Sequence, residues 1–131
     1  MKRKSLRAAA LGVALLAVTA SIAMADINDY EFRLVDKEVK HGVATIAVKL
    51  VHKPSGLARP DAVIFAKRLD MDPEKMEAMT APIEAVPTAE PGVYRFKTDL
   101  TMPGSWALSL AAKVQGETGT VESKLIVKAT P

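Results

Sequence analysis

The chain has 131 residues, a formal net charge of +3 and no cysteine. Without cysteine there are no disulfides, no thiolate metal ligands and no lipidated N-terminal thiol, so an exported domain of this sequence must be held by packing alone. The length supports one domain with one core.

Lys2, Arg3, Lys4 and Arg7 precede an apolar run over residues 8–20, and Ala23-Met24-Ala25 completes a small-x-small pattern. That order is a secretory signal peptide, residues 1–25. The apolar run is shorter than the roughly 20 residues that span a membrane. Cleavage after Ala25 leaves residues 26–131, that is 131 less 25 or 106 residues, with a periplasmic address and no membrane span. The removed segment holds four cations and no anion, so the charge of +3 less 4 becomes −1. A near-neutral domain has no electrostatic reason to bind nucleic acid.

After a polar leader, Tyr30, Phe32 and Leu34 alternate with Glu31, Arg33 and Val35, which predicts a strand. Residues 37–42 are charged and end in a His41-Gly42 turn. Residues 43–51 are rich in β-branched side chains and put Ala44, Ile46, Val48 and Leu50 on one face, a second strand. His52-Lys53-Pro54-Ser55-Gly56 is a turn. In residues 61–69 the run Ala62-Val63-Ile64-Phe65-Ala66 is continuously apolar, which predicts a strand buried on both faces. Asp72-Pro73-Glu74 then carries helix-start signals, predicting one or two helical turns over residues 72–78. Residues 80–86 read as a short strand ended by Pro87.

The clearest signal is a hairpin over residues 92–114. Tyr94, Phe96 and Leu100 share one face of its first strand. Trp106, Leu108, Leu110, Ala112 and Val114 share one face of its second, with Thr101-Met102-Pro103-Gly104 turning between them. A last strand over residues 120–128 follows, with a frayed tail at 129–131. The expected core is Trp106, Leu108, Leu110, Tyr94, Phe96, Ile46, Val48, Phe65 and Val127. Seven such strands predict an all-β, immunoglobulin-like, seven-strand antiparallel sandwich with one short helical turn.

Catalytic patterns are missing. There is no G-x-S-x-G elbow, H-E-x-x-H, P-loop or EF-hand, so no enzyme is expected. His41 and His52 bracket a strand and cannot share a site. Asp70 and Asp72 lack the rest of a Ca²⁺ loop. The unusual feature is sulfur: Met71, Met76 and Met79 lie within nine residues, and Met102 is the remaining methionine after residue 25. Thioethers favour Cu(I) and need no deprotonation, although Met also fills irregular core gaps well. In a sandwich of successive antiparallel strands, alternate connections lie at one end. This gathers Met71, Met76, Met79, Met102 and His41 there, with Met76 and Met79 on one helical face. They are the candidate ligands for Cu(I) or Ag(I), with His41 optional.

Gly92-Val93-Tyr94-Arg95-Phe96, Met102-Pro103-Gly104-Ser105-Trp106 and Leu108-Ser109-Leu110, with Pro60-Asp61-Ala62-Val63 before them, resemble the YtkA-like domain family, often grouped with FixH-type proteins. The likeness covers most of residues 30–127. It implies a periplasmic or surface β-sandwich associated with heavy-metal or copper export, or with copper delivery to oxidases. FixH resembles membrane-anchored proteins, whereas this chain carries a cleavage pattern. Two functions are expected from these observations: a copper or silver chaperone or accessory of an efflux system, with a pump or envelope partner; or a structural or interaction module of the envelope with no metal site.

Overall fold

A computed structural model describes residues 27–59 and 61–131. The signal peptide and its cleavage after Ala25 lie outside the described residues. In chain order the strands are β1 (Tyr30–Leu34), β2 (Glu38–Lys40), β3 (Gly42–His52), β4 (Leu57–Ala58), β5 (Ala62–Met71), β6 (Met76–Ala81), β7 (Ile83–Val86), β8 (Val93–Leu100), β9 (Gly104–Val114) and β10 (Val121–Thr130).

They form two sheets. One runs β1-β3-β8-β7, with β4 paired to the end of β3; the other runs β2-β10-β9-β5-β6. The sandwich is immunoglobulin-like, and the predicted strands are present with two elaborations. The first strand is continued by β2, which crosses to the second sheet and pairs in parallel with β10. That parallel pair departs from the all-antiparallel expectation. The fourth predicted strand is also divided: β6 lies in the second sheet and β7 in the first, with Pro82 between them. Proline cannot donate to a ladder, so it suits the point where the chain leaves one sheet for the other.

The period-two pattern sets the core. Trp106, Leu108, Leu110, Phe96, Ile46, Val48 and Val127 are all buried, and Tyr94 packs against them half-buried. Phe65 is a correction. It is 57% exposed, and Val63 is 67% exposed, so β5 is not buried on both faces. β9 flanks β5 on one side, but only Leu69, Asp70 and Met71 pair with β6 on the other. A register shift between Ile64 and Ala66 also leaves Phe65 without a partner in the β9 ladder. A bulge of this kind re-aims a side chain.

The helix over residues 72–78 is also corrected. The Asp72-Pro73-Glu74 signal yields a single 3₁₀ turn, Asp72–Glu74, after which Lys75 takes a left-handed conformation at φ 62°. An L-residue there ends the helix, and the chain goes on as β6. The tail is not frayed: Ala129 pairs with Gly104 and is buried. Among the described residues no helix is long and apolar enough to cross a membrane.

Candidate functional site

β5 delivers Met71 to the end of the sandwich where β9 begins. Met71 is 1% exposed, part of the core floor. Its register partner on β6 is Met76. Met76 and Met79 are 37% and 38% exposed. They share a strand rather than a helical face, so the extended chain can separate them by about 10 Å. Thr80, next to Met79, pairs with Asp70, next to Met71. Met102 packs half-buried against the core, and its carbonyl accepts the Trp106 indole N–H at 3.1 Å.

Gly104 closes this corner. At φ +134° it lies so near its neighbours that a Cβ would stand 2.8 Å from Met71 Cε and 3.2 Å from Glu74 Oε2. Glu74 Oε2 accepts the Ser105 amide at 2.8 Å. The Met102-x-Gly104-x-Trp106 spacing therefore has a physical reason. The turn carbonyl anchors the indole, and the missing side chain lets β5 and the 3₁₀ turn dock.

His41 lies at the same end but along the other edge. Its backbone amide and ring Nδ1 each lie 2.9 Å from Thr130 O, beside the β2–β10 pair. Four strand spacings separate β2 from β6, roughly 19 Å. Met71, Met76 and Met79 thus cluster around the β5–β6 end, Met102 lies on the adjoining turn, and His41 is distant from Met76. The thioethers are divided between the two readings, with Met71 in the core and Met76 and Met79 open to solvent.

The neighbouring acids are already engaged. Asp70 Oδ2 accepts Arg68 Nε at 2.7 Å, and Asp70 Oδ1 accepts the Asp72 amide at 2.9 Å. Asp72 pairs with Lys124. Burial alone pushes the Asp70 carboxyl up, but the Arg68 and Asp72 hydrogen bonds and the Arg68 and Lys124 charges outweigh it. The carboxyl is held below its ordinary value. Among the described residues no group of three or more His, Asp or Glu side chains is arranged to hold a metal ion.

At the opposite end lies a polar cluster that sequence reading missed. Tyr30 Oη donates to Glu117 Oε2 at 2.6 Å, and Arg59 stacks over the Tyr30 ring at 5.7 Å while pairing with Asp61 at 3.2 Å. Tyr94 Oη donates to Arg59 O at 2.8 Å and accepts the Ala62 amide at 3.2 Å. His52 is there too, its ring 5.1 Å from Tyr30 and its Nδ1 2.8 Å from Ser55 Oγ. Burial raises the pKa of both tyrosines, and the Glu117 hydrogen bond raises that of Tyr30 further. Nothing in the order of residues 30, 59, 61, 94 and 117 marks them as one group.

A family model described as YtkA-like matches residues 24–111. No curated protein sequence matches the chain. Among solved structures, the Lin-41 filamin domain is 15% identical, with 81% of this chain and 96% of that chain covered at a TM-score of 0.44. The ZirS C-terminal domain is 13% identical, with 100% of this chain and 88% of that chain covered at a TM-score of 0.45. Both overlaps are loose, and neither protein's role transfers to this chain.

Proposed function

The chain belongs to the YtkA-like family, and on that premise we propose that it is an exported protein that binds Cu(I) or Ag(I) through thioethers, as a chaperone or accessory of a heavy-metal efflux system. One observation carries this reading: Met76 and Met79, on an edge strand beside Met71, are each more than a third exposed. A methionine chosen only to fill a core gap has no reason to leave its side chain in solvent. A soft cation is the ligand that thioethers favour, and no proton need be displaced. Met71 and Met102 complete the donor set from the core side, and His41 stands outside it. The partner is a pump or envelope protein that receives the ion.

The test is a Cu(I) competition titration of the purified protein against Met76→Leu/Met79→Leu and Met71→Leu/Met102→Leu. Leu roughly conserves volume, at a cost below about 1.5 kcal/mol per site, so both variants should fold. Loss of Cu(I) affinity in both pairs is the expected result, the larger in the first. Equal affinity in all three proteins overturns the site and leaves an interaction module without metal. The mass of the protein from a periplasmic extract tests export: residues 1–25 still attached would count against it.

A further inference from the structure

The methionines after residue 25 differ sharply in their access to solvent. Met71 is buried, and its Cε lies so near Gly104 that a Cβ there would stand 2.8 Å away. Met102 is half-buried, in the turn whose carbonyl holds the Trp106 indole. Met76 and Met79 belong to an unbroken exposed stretch, residues 73–80. The ladder shows why. Asp70 pairs with Thr80, but the next residue of β5, Met71, pairs with Met76. Residues 77–79 therefore bulge out with no partner on β5. One side-chain hydrogen bond reaches them, Arg68 Nη2 donating to Glu77 O at 3.1 Å.

A thioether in solvent is open to two-electron oxidants such as hydrogen peroxide. The sulfur lone pair attacks one peroxide oxygen and the O–O bond breaks. Sulfur gives up two electrons and keeps that oxygen, whose proton passes to the other oxygen, which leaves as water. The product, methionine sulfoxide, is polar and is reduced back by dedicated enzymes. On Met71 the new oxygen would have to enter the closed corner at Gly104, where an unpartnered polar atom is costly. On Met76 and Met79 it stands in water, on a bulge that no ladder constrains. The sulfoxide also presents a hard oxygen where a soft sulfur stood, and soft cations favour the sulfur.

We propose that Met76 and Met79 are a reversible modification site, converted to sulfoxides by peroxide while Met71 stays reduced, and that the conversion releases the soft cation without unfolding the sandwich. The release rests on the metal reading above; the selectivity rests on burial alone.

The probe is hydrogen peroxide, given at a limited dose to the purified metal-free protein, with oxygen uptake located by peptide mass mapping. Met76 and Met79 should be oxidised at least about tenfold faster than Met71, with Met102 between them. The oxidised protein should melt with the untreated one. Its affinity for Ag(I), used in place of Cu(I) because peroxide would oxidise the latter, should fall by about tenfold or more. Ag(I) bound beforehand should slow the reaction, since it occupies the lone pairs that attack peroxide. Methionine sulfoxide reductases for the two epimers should restore mass and affinity together. Met76→Leu/Met79→Leu should lose the fast oxygen uptake. Oxidation of Met71 as fast as Met76, a collapsed melt after the fast uptake, or unchanged Ag(I) affinity in the oxidised protein overturns the proposal. An untreated protein that binds no Ag(I) overturns the metal reading and the release with it, whereas loss of selectivity in the mapping overturns the modification site even where Ag(I) binds, so the two failures are told apart.

Discussion

The two ends of the sandwich are closed by the same device built from different chemistry. At one end Gly92 and Tyr94 clasp the segment that leads into β5; at the other, Gly104 and Trp106 clasp the segment that leaves it. In each a glycine at positive φ lets a neighbour come close, and an aromatic stands two residues on. A Cβ on Gly92 would stand 2.5 Å from Ala58 Cβ and 3.1 Å from Ala58 C. Tyr94 fastens its segment by hydrogen bonds at its rim, whereas at the other end Glu74 Oε2 accepts the Ser105 amide and the fully buried Trp106 bonds its own turn at Met102 O. The difference shows how one motif can be structural at both ends while leaving only the second beside soft ligands.

The largest effect should come from the buried clasp. Trp106→Ala removes a fully buried aromatic, at a cost of about 3–5 kcal/mol, a large share of the about 5–15 kcal/mol typical of a domain. Denaturant unfolding measures it. A loss no greater than that of an exposed substitution would show that the indole is not the anchor of its end.

The glycines sharpen the contrast. Alanine at either must adopt positive φ, a strain of roughly 1–3 kcal/mol. At Gly92 the new atom also meets Ala58 backbone, which cannot swing away. At Gly104 it meets Met71 Cε, the free end of a flexible side chain. Gly92→Ala should therefore destabilise more than Gly104→Ala, and a reversed order in paired thermal melts would break the comparison. Tyr94→Phe comes next. It removes the acceptor of the Ala62 amide and the donor to Arg59 O, for about 1–3 kcal/mol. If it melts with the wild type, the rim clasp is held by ring packing on Phe32 instead.

These clasps were half legible in the sequence. Alternation from Tyr94 to Val114 fixes two strands and their inward faces, because a one-residue slip would expose every apolar side chain. The gathering of Met71, Met76 and Met102 at one end follows from strand order. What could not be read is local competition. Asp72-Pro73-Glu74 does start a helical turn, but the left-handed Lys75 ends it, so Met76 and Met79 lie on a strand. The apolar run through Phe65 reads as buried because sequence does not say which strand lies at an edge. β2 has only three residues, two of them charged, and is held by register with β10 rather than by any pattern of its own. The Tyr30–Arg59–Glu117 cluster joins residues far apart in the chain, so no window contains it.

The smallest effect, and the one that separates the ends most cleanly, is their response to pH. Near the methionine end Asp70 is held below its ordinary 3.8. A carboxylate depressed on folding adds stability above its unfolded pKa, and that stability is lost as pH falls through the folded value. This end should therefore loosen first in acid, below about pH 4, and Asp70→Asn should abolish that part of the response. At the other end burial raises Tyr30 and Tyr94 above 10.0. Groups raised on folding contribute stability that is complete below the unfolded pKa and is lost as pH rises through the folded one. That end should loosen in alkali, above about pH 10, as the phenols ionise against Glu117 and Asp61. Chemical denaturation across pH, with hydrogen exchange at Leu69–Asp72 and at Ala62–Ile64 reporting each end, measures both. If acid and alkali loosen the same end, the hydrogen bonds assigned to Asp70 and to the tyrosines do not govern their ends, and the two clasps differ only in size.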